Sequence, residues 1–328
     1  MRNKINLLVL IIGIITLTIS CRKSESYSEY NKQLDYKYIN QLIISGDNLW
    51  VISSDTLSFV DFVAVIPPYQ ISLYDQVNGN FIINDTIPAI RSFALDNNLT
   101  PFITTFDNRV LKLNGDLSLV QLLTIPKKYY IQSMIFDSSN SLLLGTNSGG
   151  FYVYNWYDTL RFNTSNSILT SDFVVSMARD SRSDVWFVQG TDLFKIGENH
   201  ALSKDQSTFP DHLGSAFDLS SDKDNTLWVS RWDGNFFLIF KKSVNGQWAT
   251  VDPPQSSGSR VLRLLKADNK GTIWIVYSNY PKDILAYYNS GKWVEIQIPL
   301  SKITITDVET FRNEIIIGTS RGIYRMPM

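Results

Sequence analysis

Apolar and polar residues alternate along most of the chain in short runs, and the runs are separated by clusters of Gly, Asn, Asp and Ser. A side-chain period of two bounded by turn residues predicts strands, and past the N-terminus no sustained helical period competes with it. The runs fall into groups of four. "IQSMIFD" or "FVVSMARD" supplies a first strand, "SLLLGT" or "DVWFVQ" a second, "FYVYN" or "FFLIFKK" a third, and "QWATV" or "KWVEIQI" a fourth. Between third and fourth strands, Asn78-Gly79, Asn114-Gly115, Asn245-Gly246 and Ser290-Gly291 read as type I′ hairpin turns, whose residues tolerate positive φ.

The groups repeat. Aligned on one position of the second strand, Trp50, Phe102, Leu143, Trp186, Trp228, Trp274 and Ile316 follow one another at gaps of 52, 41, 43, 42, 46 and 42 residues. In five units an aspartate stands six residues upstream: Asp96, Asp137, Asp180, Asp222 and Asp268. A carboxylate at the start of a tight turn accepts nearby backbone N–H groups, and a large aromatic just inside the next strand fills space between sheets. The stretch Asp222-Lys223-Asp224-Asn225 lacks the glycine and terminal glutamate of an EF-hand loop and reads as one of these turns. A period of about 42 residues carrying four strands is that of a β-propeller blade. The expected fold is all-β, a seven-bladed β-propeller of four-stranded antiparallel blades. The sequence reaches only the third strand of the seventh unit at "GIYRMPM", and "SYSEYNKQLDY" before Tyr38 is expected to add the missing strand and close the ring.

The N-terminus has a different character. Arg2 and Lys4 precede an apolar stretch from Leu7 to Ile19, too short to favour a membrane span and suited to a signal peptide. "LTISC" resembles a bacterial lipobox. The expected division is a lipoprotein signal peptide over 1–20, a lipidated N-terminus and ring-closing strand over 21–36, and the propeller over 37–328. Cys21 is the only cysteine, so no intramolecular disulfide forms and its thiol is available for lipid. Two or more acyl chains anchor stably, which places the chain on a membrane of the bacterial cell envelope, periplasmic or at the cell surface. Lys+Arg 30 against Asp+Glu 31 leaves no global field for nucleic acid, and none is expected as a partner.

Ligand chemistry in a propeller is expected on the face that carries the loops between second and third strands and the crossovers between blades. Units five, six and one depart from the repeat there, and Arg321 of unit seven is a further candidate. Unit five has Arg231, Trp232 and Asp233, a stacking plane with polar groups of the kind sugars need. Unit six has Tyr277, Asn279 and Tyr280 in an enlarged loop, and unit seven has Arg321 in its Ser-Arg-Gly turn. Unit one carries an insertion between Ile52 and Gln70, apolar from Phe59 to Ile66, which is expected to fold back as an extra hairpin. Of the two histidines, His200 falls in a hairpin turn on the opposite face and is expected to be solvated. His212 lies on the candidate face beside Asp211, where the pair would serve as a base in a catalytic alternative. No Cys/His cluster or Gly-rich phosphate loop is present, so no metal and no cofactor is expected.

"NSILTSDFVVSMARDSRSDVWFVQGTDLFKI" (166–196) resembles the two-component regulator propeller repeat, and "IQSMIFDSSNSLLLGTNSGGFYVYN" and "VETFRNEIIIGTSRGIYRM" carry its Gly-Thr-x-x-Gly part. The resemblance implies the exported sensor half of a membrane-spanning regulator, a kind that often recognises oligosaccharides, and the absence of a catalytic constellation makes the expectation non-catalytic. The sequence shows no further β-domain, second span or kinase before Met328, so the expectation is a free-standing lipid-anchored propeller that binds a glycan or an envelope protein. The repeats are also similar to those of streptogramin lyases, which use histidine and magnesium near the channel; here only His212 would fill that role.

Overall fold

The computed structural model describes residues 34, 37–55, 58–60, 63–65, 69–75, 80–87, 89–189, 192–207, 215–232, 237–254, 261–278, 283–298 and 303–328. Its strands form six four-stranded antiparallel sheets, a three-stranded seventh, and one separate two-stranded hairpin. The first strands of the seven blades are Tyr38–Ser45, Ile90–Leu95, Ile131–Phe136, Met177–Arg179, Ser215–Ser221, Val261–Ala267 and Ile305–Phe311. In each blade the later strands follow in chain order, so the first strand lies at one edge. The seventh blade pairs Ile305–Phe311, Glu314–Thr319 and Gly322–Pro327. Of the expected ring-closing stretch, only Leu34 is among the described residues.

A ring is defined by its seams, and the described residues form one hydrophobic cluster at each of the seven. The seam between blades one and two, for example, joins Trp50, Ile52 and Ile71 to Phe93, Ile103 and Leu111. The seam that closes the circle joins Ile39, Leu42 and Val51 of blade one to Phe311, Ile316 and Ile323 of blade seven, with Leu34 fully buried among them. Non-polar burial therefore binds each sheet to its neighbours on both sides, and the last to the first.

The innermost strands leave one hydrogen-bonding edge toward the axis, and side chains of the preceding blade cap it. Ser176 Oγ accepts from Leu219 N–H at 3.0 Å and Ser220 Oγ from Ala267 N–H at 2.7 Å. The Asp218 carboxylate accepts from Leu265 N–H. Asp307 Oδ2 accepts from Leu42 N–H at 2.7 Å, which carries the same device across the closing seam. A free edge that would otherwise template another chain is thus satisfied internally.

The Asp-to-Trp spacing proves to be a single bidentate device. Asp222 Oδ1 accepts from the N–H groups of Asp224 and Thr226, both at 2.9 Å, while Oδ2 accepts from Trp228 Nε1 at 2.9 Å. Asp180 with Trp186, and Asp268 with Trp274, repeat it at 2.9 Å. The turn reading of Asp222-Lys223-Asp224-Asn225 holds. In blade three Leu143 replaces the tryptophan, and the free oxygen Asp137 Oδ2 instead meets His200 Nε2 of blade four at 3.2 Å. His200 was expected to be solvated; it is a part-buried brace between two blades. In blade one the aspartate is missing, and buried Trp50 Nε1 has no partner among the described residues.

The insertion of blade one forms the expected extra hairpin, Ser58–Val60 paired with Val63–Val65. Only Ser290-Gly291 is a two-residue turn with both φ values positive, at 48° and 87°. The turns at Asn114 and Asn245 are longer and use one left-handed residue each, Leu117 and Gly246. Asn78-Gly79 lies outside the described residues.

Candidate ligand-binding rim

The crossover from blade two to blade three, Ile125-Pro126-Lys127-Lys128-Tyr129-Tyr130, runs over the face expected to bind ligands. Asn108 fixes it from below. This buried residue sits in the turn between Pro101–Thr105 and Arg109–Leu113 with φ 64°, a left-handed conformation that asparagine tolerates. Its Nδ2 donates to Pro126 O at 3.2 Å and to Tyr129 O at 2.9 Å, and its Oδ1 accepts from Ile131 N–H at 3.3 Å. Asn147, in the corresponding turn of blade three, grips the other end. Its Oδ1 accepts from Tyr130 N–H at 2.9 Å and its own N–H donates to Tyr130 O at 3.0 Å. Ser148 Oγ donates to Lys128 O at 3.2 Å. Two asparagines and a serine use their polar atoms on the crossover backbone, so its side chains are presented from a preorganised frame.

Those side chains are aromatic and basic. Arg91, on the first strand of blade two, holds its guanidinium carbon 5.0 Å from the Phe106 ring centre and 5.8 Å from that of Tyr130, and donates from Nη2 to Gln132 Oε1 at 3.0 Å. Partial burial lowers the Arg91 pKa from its ordinary value. Phe106 and Tyr130 remain 40% and 47% exposed, large fractions for rings backed by a fixed cation. One residue away, the Tyr129 ring lies 4.8 Å from Lys128 Nζ and 4.4 Å from the Arg161 guanidinium carbon. The Lys128 ammonium beside its hydroxyl, with Arg161, holds the Tyr129 phenol below its ordinary value. Arg161 Nε is oriented by Gly149 O at 2.8 Å.

The residues singled out from the repeat pattern are distributed differently. Arg231 and Tyr277 belong to strands that run on to Trp232 and Ser278 and are 1% and 0% exposed, Tyr277 within the hydrophobic layer between blades five and six. Trp232 is half-buried, its ring centre 4.8 Å from that of Phe237. Arg321 is exposed in the turn of blade seven, where its N–H donates to Thr319 Oγ1 at 3.1 Å. Asp233, Asn279, Tyr280, Asp211, His212 and Cys21 lie outside the described residues.

On the opposite face a groove of about 640 Å³ opens between blades five and six. Several of its polar groups already have partners: Trp228 with Asp222, Lys241 Nζ with Tyr288 Oη at 3.2 Å, and Lys270 Nζ with Arg312 O at 2.8 Å. The rim, with exposed rings beside cations on a fixed crossover, is the candidate site. In the channel, Lys266 Nζ meets Asp307 Oδ1 at 2.9 Å, Glu309 Oε1 at 2.7 Å and Leu42 O at 3.2 Å. Burial pushes the Glu309 carboxyl up to about 7 and that of Asp218 up to about 6. Among the described residues no group of three or more His, Cys, Asp or Glu is arranged to hold a metal ion.

No family model matches the chain, and no curated protein matches its sequence. The similarity is one of fold, and the fold defines the class: a seven-bladed β-propeller. Virginiamycin B lyase from Staphylococcus aureus, in a structure with quinupristin, is similar with a TM-score of 0.70 and 11% identity over 90% of this chain and 97% of that one. The extracellular domain of a hybrid two-component system from B. thetaiotaomicron is similar with a TM-score of 0.63 and 17% identity. That match covers 89% of this chain and 39% of the other, so this chain spans about two fifths of its length. YCF48 bound to D1 peptide gives a TM-score of 0.60 at 12% identity over 90% of this chain and 93% of that one.

Proposed function

We propose that this propeller is a lipid-anchored binding protein of a bacterial cell envelope that holds a glycan at the crossover-face rim of blades two and three. One observation carries the reading: exposed Phe106 and Tyr130 flank the Arg91 guanidinium on a crossover locked by Asn108 and Asn147. Flat apolar rings beside a planar donor suit a sugar, whose ring has a C–H face for stacking and hydroxyls for hydrogen bonds. Propellers of similar shape, one an extracellular domain and one bound to a peptide, support a binding role for the architecture. The anchor would be acyl chains on Cys21, and loss of palmitate labelling in Cys21→Ser is the expected result.

The site is tested on an array of envelope and dietary polysaccharides. Wild type is expected to retain at least one, and Phe106→Ala with Tyr130→Ala to lose it, while Trp232→Ala reports whether blade five shares the contact. A wild-type protein that retains no glycan removes the reading. Similarity in fold to virginiamycin B lyase favours a second reading, a lyase acting through His212. Disappearance of quinupristin on incubation with wild type, abolished in His212→Ala, would select it.

A further inference from the structure

We infer that the rim binds an acidic oligosaccharide, one bearing carboxylate or sulfate groups; this rests on the glycan reading above and narrows its ligand class. The observation is a concentration of positive charge with no counter-charge. Arg91, Lys128 and Arg161 lie against Tyr129 and Tyr130, with exposed Lys127 next to Lys128 in the chain, and among the described residues none of the four has a carboxylate within 4.0 Å. Several other cations are paired with carboxylates, as in Lys195 with Asp184 at 2.9 Å, Lys204 with Asp192 at 2.8 Å, and Lys266 with two carboxylates.

Like charges brought together around these rings repel each other, and tyrosine π-faces offset only part of that cost. The lowered Tyr129 phenol reports the same excess of positive potential at a point where a ligand oxygen can sit. An anion at this point would gain charge-assisted hydrogen bonds from Lys128 and Arg161 without ordering the backbone, because Asn108, Asn147 and Ser148 already hold it. The exposed rings favour a sugar over a flat anionic bilayer. Phe106 and Tyr130 flank the guanidinium, so a pyranose stacked there brings its acid group to Arg91, whereas lysines alone would satisfy lipid headgroups.

The test uses the full chain, extracted in uncharged detergent, with oligogalacturonate, hyaluronan and chondroitin sulfate as probes and methyl-esterified oligogalacturonate as the charge-free match. Acid binding at least tenfold tighter than ester, weakened by added salt, is expected. Lys127→Gln with Lys128→Gln should weaken acid binding about tenfold, and Arg161→Gln separately should do the same. Lys292→Gln, an exposed cation on blade six, should change nothing. Both lysines are exposed, so this pair tests binding without threatening the fold. Equal affinity for acid and ester, lost in Phe106→Ala with Tyr130→Ala, overturns the acidic ligand and leaves the glycan reading standing. Binding to none of the acidic probes overturns the inference, as does lysine-dependent binding to phosphatidylglycerol vesicles in their place.

Discussion

At the scale of single residues, the most informative comparison is between two tryptophans in equivalent positions. Trp228 donates its indole N–H to Asp222, while Trp50 is buried with no acceptor among the described residues. Replacing either by phenylalanine removes the same side-chain volume from a buried site, so the comparison weighs chiefly the hydrogen bond. Trp228→Phe leaves a carboxylate oxygen without its donor, and bonds to charged groups contribute about 1.5–3 kcal/mol. Trp50→Phe removes a buried donor that is unsatisfied, which costs nothing beyond packing. Chemical denaturation should therefore show Trp228→Phe less stable than Trp50→Phe by about 2 kcal/mol. Equal losses would mean that the repeated aspartate acts only on its turn. His200 belongs to the same logic: where Leu143 removes the indole, an imidazole from the next blade takes the vacant oxygen.

At the scale of elements, the Asp turns place their fourth residue in the left-handed region: Leu99, Asn140, Ser183, Asn225 and Gly271. Leucine is poorly suited to that conformation, and Leu99 is 53% exposed, so it gains little packing in return. Leu99→Gly should stabilise by about 0.5–1 kcal/mol, read as a higher denaturation midpoint. The reverse exchange fails twice at Gly271. Its φ is +74°, and a Cβ there would lie 2.5 Å from the backbone nitrogen of Lys223 in the neighbouring turn, so Gly271→Ala should cost more than about 1 kcal/mol. A stabilised Gly271→Ala would show that the two turns do not pack as described. The period, the four strands and the Asp–Trp spacing were legible in the sequence because each depends on neighbours within one hairpin. The rim was not legible, because "KKYY" reads as an ordinary solvated loop until Asn108, 21 residues before Tyr129, and Asn147, 17 after Tyr130, are brought beneath it. Arg231 and Tyr277 depart from the small residues of other repeats, and the strands that extend past them leave both buried.

At the scale of the whole molecule, a buried charge cluster lies where the ring closes. Lys266 of blade six, Asp307 and Glu309 of blade seven and the backbone of Leu42 in blade one form one contiguous clasp. Two carboxylates share a single ammonium there, and burial pushes Glu309 from 4.5 up to about 7; Asp218, farther round the channel, moves from 3.8 up to about 6. A carboxyl with a raised folded value holds its proton more tightly in the folded chain than in the unfolded one. Its stabilising contribution is complete below the unfolded value and is lost as pH rises through the folded value. The Lys266 pKa is raised, so its contribution is present below the unfolded lysine value and stays constant across that window. Wild-type stability from these two carboxyls should therefore fall between about pH 4 and pH 7, with Glu309 responsible for the upper half of the decline. Glu309→Gln keeps one acceptor oxygen, for Lys266 or for Asn269 N–H, but cannot ionise, so its denaturation midpoint should vary less between pH 5.5 and pH 7.5 than that of wild type. Asp218→Asn should flatten the range below pH 6 in the same way. If the Glu309→Gln midpoint keeps the wild-type slope, Glu309 is not protonated near neutrality, and the seam is held by packing and by the Asp307–Leu42 bond without a titrating partner.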